Sequence, residues 1–189
     1  MKHVLLMGFT ALAFIKVDAQ IDYGVKAGIN GSSYRGKDIE DVKMKMGAYA
    51  GVTADIQLTE NLHIKPELVY AMQGTKSDDN SADVKLNANY LNLPLMAAYH
   101  FDNGLFLETG PQFGMLLSAN IKDGGQKFSV KDSYKKTDLS WGAGLGYQLP
   151  LGLAVNARYN LGLTKVDKEG DAKTYNSSLQ LGLTYTFKK

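Results

Sequence analysis

The chain has 189 residues, a formal net charge of +2 and no cysteine. That length suits one domain, and the missing cysteine excludes disulfides, iron–sulfur clusters and thiol catalysis together. A charge so near zero gives no reason to expect nucleic acid or an acidic partner.

Residues 1–19 read as a targeting segment. Met1-Lys2-His3 is a short basic start, Val4 to Ile15 is an apolar core, and Val17-Asp18-Ala19 sets small residues before a cut that leaves Gln20 first. The apolar stretch is too short for a spanning helix, so a cleaved signal peptide is expected over 1–19 and a single domain over 20–189. After Ile15 no apolar run approaches the length of a membrane helix. A membrane-spanning mature chain would therefore have to be a closed barrel, because only helices and closed barrels satisfy every backbone polar group in lipid.

Eight segments follow in which apolar residues alternate with polar residues or glycine. In the first, Ile21, Tyr23, Val25, Ala27 and Ile29 oppose Asp22, Gly24, Lys26, Gly28 and Asn30. The second is the cleanest: Met44, Met46, Ala48, Ala50, Val52, Ala54 and Ile56 share one face, and Lys45, Gly47, Tyr49, Gly51, Thr53 and Asp55 share the other. A period of two over that length is a strand signal, since a helix would scatter these residues around its axis. The third sets Leu62, Ile64, Leu68 and Tyr70 against His63, Lys65, Glu67 and Gln73, and the fourth sets Leu91, Leu93, Leu95, Tyr99 and Phe101 against Tyr90, Asn92, Met96 and His100. In the fifth, Leu105, Leu107, Phe113, Met115 and Leu117 oppose Glu108, Gly110, Gln112 and Gly114. The sixth opposes Leu139, Trp141, Ala143, Leu145 and Tyr147 to Ser140, Gly142, Gly144 and Gly146. The seventh opposes Leu153, Val155, Ala157, Tyr159 and Leu161 to Asn156, Arg158 and Asn160, and the eighth opposes Leu179, Leu181, Leu183, Tyr185 and Phe187 to Gln180, Gly182, Thr184 and Thr186.

The connections alternate between tight and long. Thr59–Asn61, Asp102–Gly104 and Pro150–Gly152 are tight; Ser32–Lys43, Lys76–Lys85, Ile121–Thr137 and Lys165–Thr174 are long and polar. Short periplasmic turns, long outside loops and an even strand number describe an all-β, eight-stranded, antiparallel up-and-down transmembrane β-barrel with periplasmic termini. A lipocalin-type carrier has the same strand number with its apolar face turned inward. Two features favour the membrane sense. The non-apolar face is rich in glycine and mid-strand charge, which suits a narrow interior. The apolar face carries aromatics near its ends: Tyr23, Tyr99, Phe101, Tyr147, Tyr185 and Phe187 at one rim, and Tyr70, Trp141, Tyr159 and Tyr175 toward the other. Two such girdles around an aliphatic band match interfacial anchoring.

Several motifs extend over the mature length: Gln20 directly after the cut, GVKAGIN from Gly24, YLNLPLMAAYHF from Tyr90, LETGPQFGMLLSA from Leu107, ARYNLGLT from Ala157 and LQLGLTYTF from Leu179. On these the chain resembles the PorT-like outer-membrane β-barrel family of Bacteroidetes. The resemblance implies an eight-stranded outer-membrane barrel, insertion by the barrel-assembly machinery, and little about activity; one branch of the family is linked to protein secretion. One departure is the pair Lys188-Lys189 after Phe187, where such barrels usually end on the aromatic residue.

An eight-stranded barrel is just wide enough to be filled by its own side chains. Lys26, Asp55, Lys65, Glu67, Glu108 and Arg158 are all inward, with Asp55 facing Lys65 if the Thr59–Asn61 turn is symmetric, and Gly142 and Gly144 beside Arg158. A hydrogen-bonded lumen charge network is the expectation, since isolated buried charge is costly; a gate or small-solute path is the alternative. The mature chain has only His63 and His100, both on the polar face at the turn side, and catalysis would need a nucleophile and base in contact. The pair can bind a metal only weakly, two ligands leaving a site incomplete. Asp78-Asp79-Asn80 lacks the spaced ligands of a calcium loop. Lys122, Lys127, Lys131, Lys135 and Lys136 in the third long loop can meet lipopolysaccharide or a partner, or merely keep the rim wet. The reading is a non-enzymatic outer-membrane barrel without cofactors, acting in structure or recognition. The alternatives are a narrow porin-like channel, an export component, or a secreted lipocalin-like carrier.

Overall fold

The computed structural model describes residues 20–36, 42–77, 85–123, 126–167 and 174–187. The expected signal peptide, Lys188-Lys189, Asp78-Asp79-Asn80 and the middles of the first, second and fourth long loops lie outside the described residues.

The strands are β1 (Ile21–Arg35), β2 (Val42–Gln57), β3 (Leu62–Ser77), β4 (Lys85–His100), β5 (Leu105–Asp123), β6 (Gln126–Ser129), β7 (Thr137–Gln148), β8 (Leu153–Lys165) and β9 (Tyr175–Phe187). All pairings between neighbours are antiparallel, and β1 also pairs with β9, so that eight strands close into a barrel. The short β6 pairs only with the end of β5, outside the ring. The eight long strands run from 12 to 19 residues, more than the roughly 9–11 needed for a tilted crossing.

Alternation decides the faces as read. Leu93, Leu145 and Leu181 are 46, 53 and 46% exposed on the outer wall, whereas Arg158 and Glu108 are 2 and 4% exposed within. A water-soluble barrel would bury the leucines, so the lipocalin arrangement is excluded. The three tight turns lie at one rim, where the start of β1 also meets the end of β9: Tyr23 pairs with Phe187. At Asp102–Gly104 the reversal needs a residue at φ +88°, which only glycine adopts without strain.

The outward aromatics are placed as rims. Tyr99 and Phe101 pack edge to face at 5.0 Å, and Tyr185 and Phe187 do so at 5.2 Å. Trp141 also faces outward, and its indole N–H donates to Thr109 Oγ at 2.9 Å, while that hydroxyl donates to the Gly142 carbonyl at 3.0 Å. A threonine on the greasy wall is thereby hydrogen-bonded, which matters where no water competes.

Two features depart from the sequence reading. The register of β4 and β5 slips between Asn89 and Tyr90, pairing Tyr90 with Leu116 but Asn89 with Ser118. The bulge leaves Leu117 unpaired and inverts the alternation of β5, so that Ala119 is buried and Ile121 packs against interior residues. The third long loop is also not a plain polar loop. It forms β6 and a short 3-10 turn, Lys131–Ser133, and returns Val130 and Tyr134 over the barrel mouth.

Candidate functional site

The interior is built in layers. At its centre Arg158 on β8 meets Glu67 on β3 through two parallel bonds, Nη1 to Oε2 and Nη2 to Oε1, each 2.8 Å. Its Nε donates to Glu108 Oε1 on β5 at 2.7 Å. Lys26 on β1 donates to both oxygens of Glu67, at 3.0 and 2.9 Å. All four residues are buried. Two cations and two carboxylates neutralise one another, and charge-assisted, fork-like bonds of this kind are the arrangement that low dielectric tolerates.

Glycine makes the room. A Cβ on Gly144 would fall 3.1 Å from Glu108 Oε1 and 3.2 Å from Arg158 Cα, and one on Gly142 would lie 3.5 Å from Arg158 Cδ. The Tyr49 ring, 5.9 Å from the Lys26 ammonium, occupies a slot between Gly28 and Gly182, where an added Cβ would fall 2.9 Å from ring carbons. Among the described residues, small voids flank this layer, about 20 Å³ on the turn side and about 10 Å³ on the loop side, room for single waters.

Asp55 and Lys65 lie apart from this quartet, toward the turn-side rim. Lys65 Nζ is 3.7 Å from Asp55 Oδ2 and sits over the Phe106 ring at 4.4 Å. The sequence placed these two residues opposite each other; it did not separate them from the central four. His63 Nδ1 lies 2.6 Å from Asp55 Oδ1, and the His63 and His100 rings are 4.3 Å apart. Asp55, His63 and His100 thus form one group, whereas the sequence had offered only the two histidines as metal ligands.

Above the quartet the lumen is polar, then apolar. Asn176 donates to Gln73 Oε1 at 2.6 Å, Gln112 to Ser140 Oγ at 3.2 Å, and Thr164 to Asp138 Oδ1 at 2.8 Å. Higher still, Tyr34, Leu86, Val166, Ala88, Tyr90, Leu116 and Ala119 are buried, and Val130 and Tyr134 of the third loop pack onto them. Backbone bonds fasten this cap: Val130 N–H to Ala119 O at 3.0 Å and Lys135 N–H to Val166 O at 2.8 Å. Burial of its ring against the barrel mouth, with Asp167 nearby, raises the Tyr134 hydroxyl above its ordinary pKa. Sequence reasoning missed this apolar cap. Its signal was two apolar residues, Val130 and Tyr134, four apart in a mostly polar loop that also holds Ile121 and Phe128.

This geometry has relatives. A protein-family model described as "Outer membrane protein beta-barrel domain" matches residues 17–168. Among solved structures, the chain is similar to Ail, the attachment invasion locus protein of Yersinia pestis, at 16% identity and a TM-score of 0.55, over 88% of this chain and 98% of that one. It is similar to Neisserial surface protein A at 17% identity and a TM-score of 0.53, over 87 and 97% of the two chains. OprG from Pseudomonas aeruginosa superposes with a TM-score of 0.51 at 9% identity, over 90 and 98%. No curated protein matches. A closed eight-stranded barrel with leucines outside and ion pairs inside, together with the family match over most of its length, makes this chain a member of the outer-membrane protein β-barrel domain family.

Proposed function

We propose that this protein is a closed barrel that acts through its loop-side surface, in recognition or as a structural element, and neither conducts solutes nor catalyses a reaction. The observation that carries this reading is Arg158, held by Glu67 and Glu108 across the lumen with almost no exposure. The Tyr134 cap supports it at the loop-side mouth. We place the tight turns and both termini in the periplasm after removal of residues 1–19, with the long loops outside, as short-turn and long-loop asymmetry suggests. The motifs that resemble the PorT-like family of Bacteroidetes support a place for the chain in that family.

The inward Val130 and Tyr134 hold the third loop so that Lys127, Lys135 and Lys136 remain exposed. Lipopolysaccharide, or a protein partner presenting anionic groups, suits that surface. Planar-bilayer recordings of the purified barrel should show no steady conductance; a large, stable conductance would instead support the channel reading. Binding to lipopolysaccharide vesicles should fall with added salt and with the triple change Lys127→Gln, Lys135→Gln, Lys136→Gln. Unchanged binding would remove the lysines from the account, and cross-linked outer membranes would then be searched for a protein partner.

A further inference from the structure

The turn-side mouth of the barrel holds a group of side chains that the closed lumen does not use. Asp55 near the end of β2, His63 at the start of β3 and His100 at the end of β4 each offer one ligand atom, and these atoms lie within 4.8 Å of one another. They line a hollow of about 270 Å³ together with Asp22 and Glu60. We propose that this mouth binds one first-row divalent transition ion of the zinc or copper class, with His63, His100 and Asp55 as protein ligands and Asp22 or Glu60 able to complete the shell.

Strand register makes the set. Asp22 lies directly opposite Asp55 in the β1–β2 ladder, and Gln57 is opposite His63 in the next, which puts His63 diagonal to Asp55 on the same inward face. Ala98 is opposite His63, so His100 is its diagonal neighbour one pair further on. Three adjacent antiparallel strands therefore aim the two imidazoles and the carboxylate at one point without help from a mobile loop.

Several observations make the group a ligand site rather than a self-satisfied cluster. His100 Nε2 is buried and has no hydrogen-bond partner among the described residues, and the same holds for Asp22 Oδ1. His100 is also fixed in orientation, its ring stacked at 5.0 Å and 20° on Phe106. Two carboxylates directly opposite each other repel unless a cation joins them. The nearest cation, Lys65, touches only Asp55 Oδ2 at 3.7 Å and leaves Oδ1 to the histidine side. With neutral imidazoles the mouth carries Asp22, Asp55 and Glu60 against Lys65 and, in the mature chain, the Gln20 α-amino group, a balance that still leaves a net negative charge for a cation. Two imidazoles with carboxylate select zinc, copper or nickel over magnesium or calcium, which prefer oxygen alone. The 2.6 Å contact between His63 and Asp55 opens as both take the ion.

The test uses the tag-free mature barrel folded in detergent. Calorimetric titration with zinc chloride should give one ion per chain, and cobalt should give the visible bands of a low-coordinate nitrogen–oxygen site. His100→Gln and Asp55→Asn should each weaken zinc by about 10-fold or more, and the pair His63→Gln, His100→Gln should abolish it, with the heat-dependent gel shift of the folded barrel retained. Zinc X-ray absorption on the unmodified protein, which needs no variant to fold, should show two imidazole nitrogens. No saturable heat, oxygen-only coordination, equal affinity for magnesium, or unchanged binding in the double variant would each overturn the site.

Discussion

Arg158 and Glu67 stand 91 residues apart in the chain and meet side-on at the centre of the barrel, through two bonds of 2.8 Å. Both are shut away from bulk solvent. The pair is stable because Glu108 takes Arg158 Nε and Lys26 takes both oxygens of Glu67, so every charge in the layer has a partner.

Removing one member should therefore cost far more than a surface ion pair. Arg158→Met leaves Glu67 and Glu108 buried with Lys26 alone, an uncompensated charge worth about 3–5 kcal/mol. Urea titration followed by Trp141 fluorescence and the gel shift should show that loss. Replacing all four residues by apolar side chains of similar volume should recover much of it, as expected when the charges matter for their mutual pairing rather than for net attraction.

The Tyr49 slot gives a packing prediction. Gly182→Ala puts a methyl group into the Tyr49 ring and the neighbouring Ala27 carbonyl, and overpacking of this kind costs about 1–3 kcal/mol. If the ring is the main obstacle, Tyr49→Ala should offset part of the loss in a double-mutant cycle. Strictly additive losses would assign the strain to the β1–β9 backbone instead.

Depth on the outer wall can be probed by charge. Leu145 lies on the outer wall of β7 between Trp141 and Tyr147, paired with Leu107 and Ala157. Leu145→Arg should cost about 2–4 kcal/mol in lipid, whereas Phe187→Arg, at the rim, should cost about 0–1 kcal/mol. Equal costs at both positions, measured by reversible folding into vesicles, would contradict the placement of the belt.

The cap should be separable from the barrel. Tyr134→Gly removes the side chain that stacks on Tyr34 at 6.2 Å and packs against Leu86 and Val166. The expected result is faster protease cleavage within residues 126–136 with little change in unfolding of the barrel, because only the loop loses its anchor. Conductance should stay absent, since the Arg158 layer lies below.

Strand identity, the outward leucines and the inward charges were legible in the sequence, because a period of two is a local property and each strand carries it unaided. The pairing of Asp55 with Lys65 was legible as well, since a symmetric three-residue turn sets register over the few residues next to it. What tertiary structure decided depends on residues that only closure brings together. Lys26, Glu67, Glu108 and Arg158 come from four strands, none of which pairs with another of the four, and no local pattern selects these contacts from the inward charges available. The bulge at Leu117 turned Ala119 and Ile121 inward against the alternation, and Val130 and Tyr134 gained a place to be buried only once the mouth existed. His63, His100 and Asp55 likewise converge through the registers of two successive ladders. A side chain's face is written in its immediate neighbours, whereas its partner is set by how the ring of strands closes.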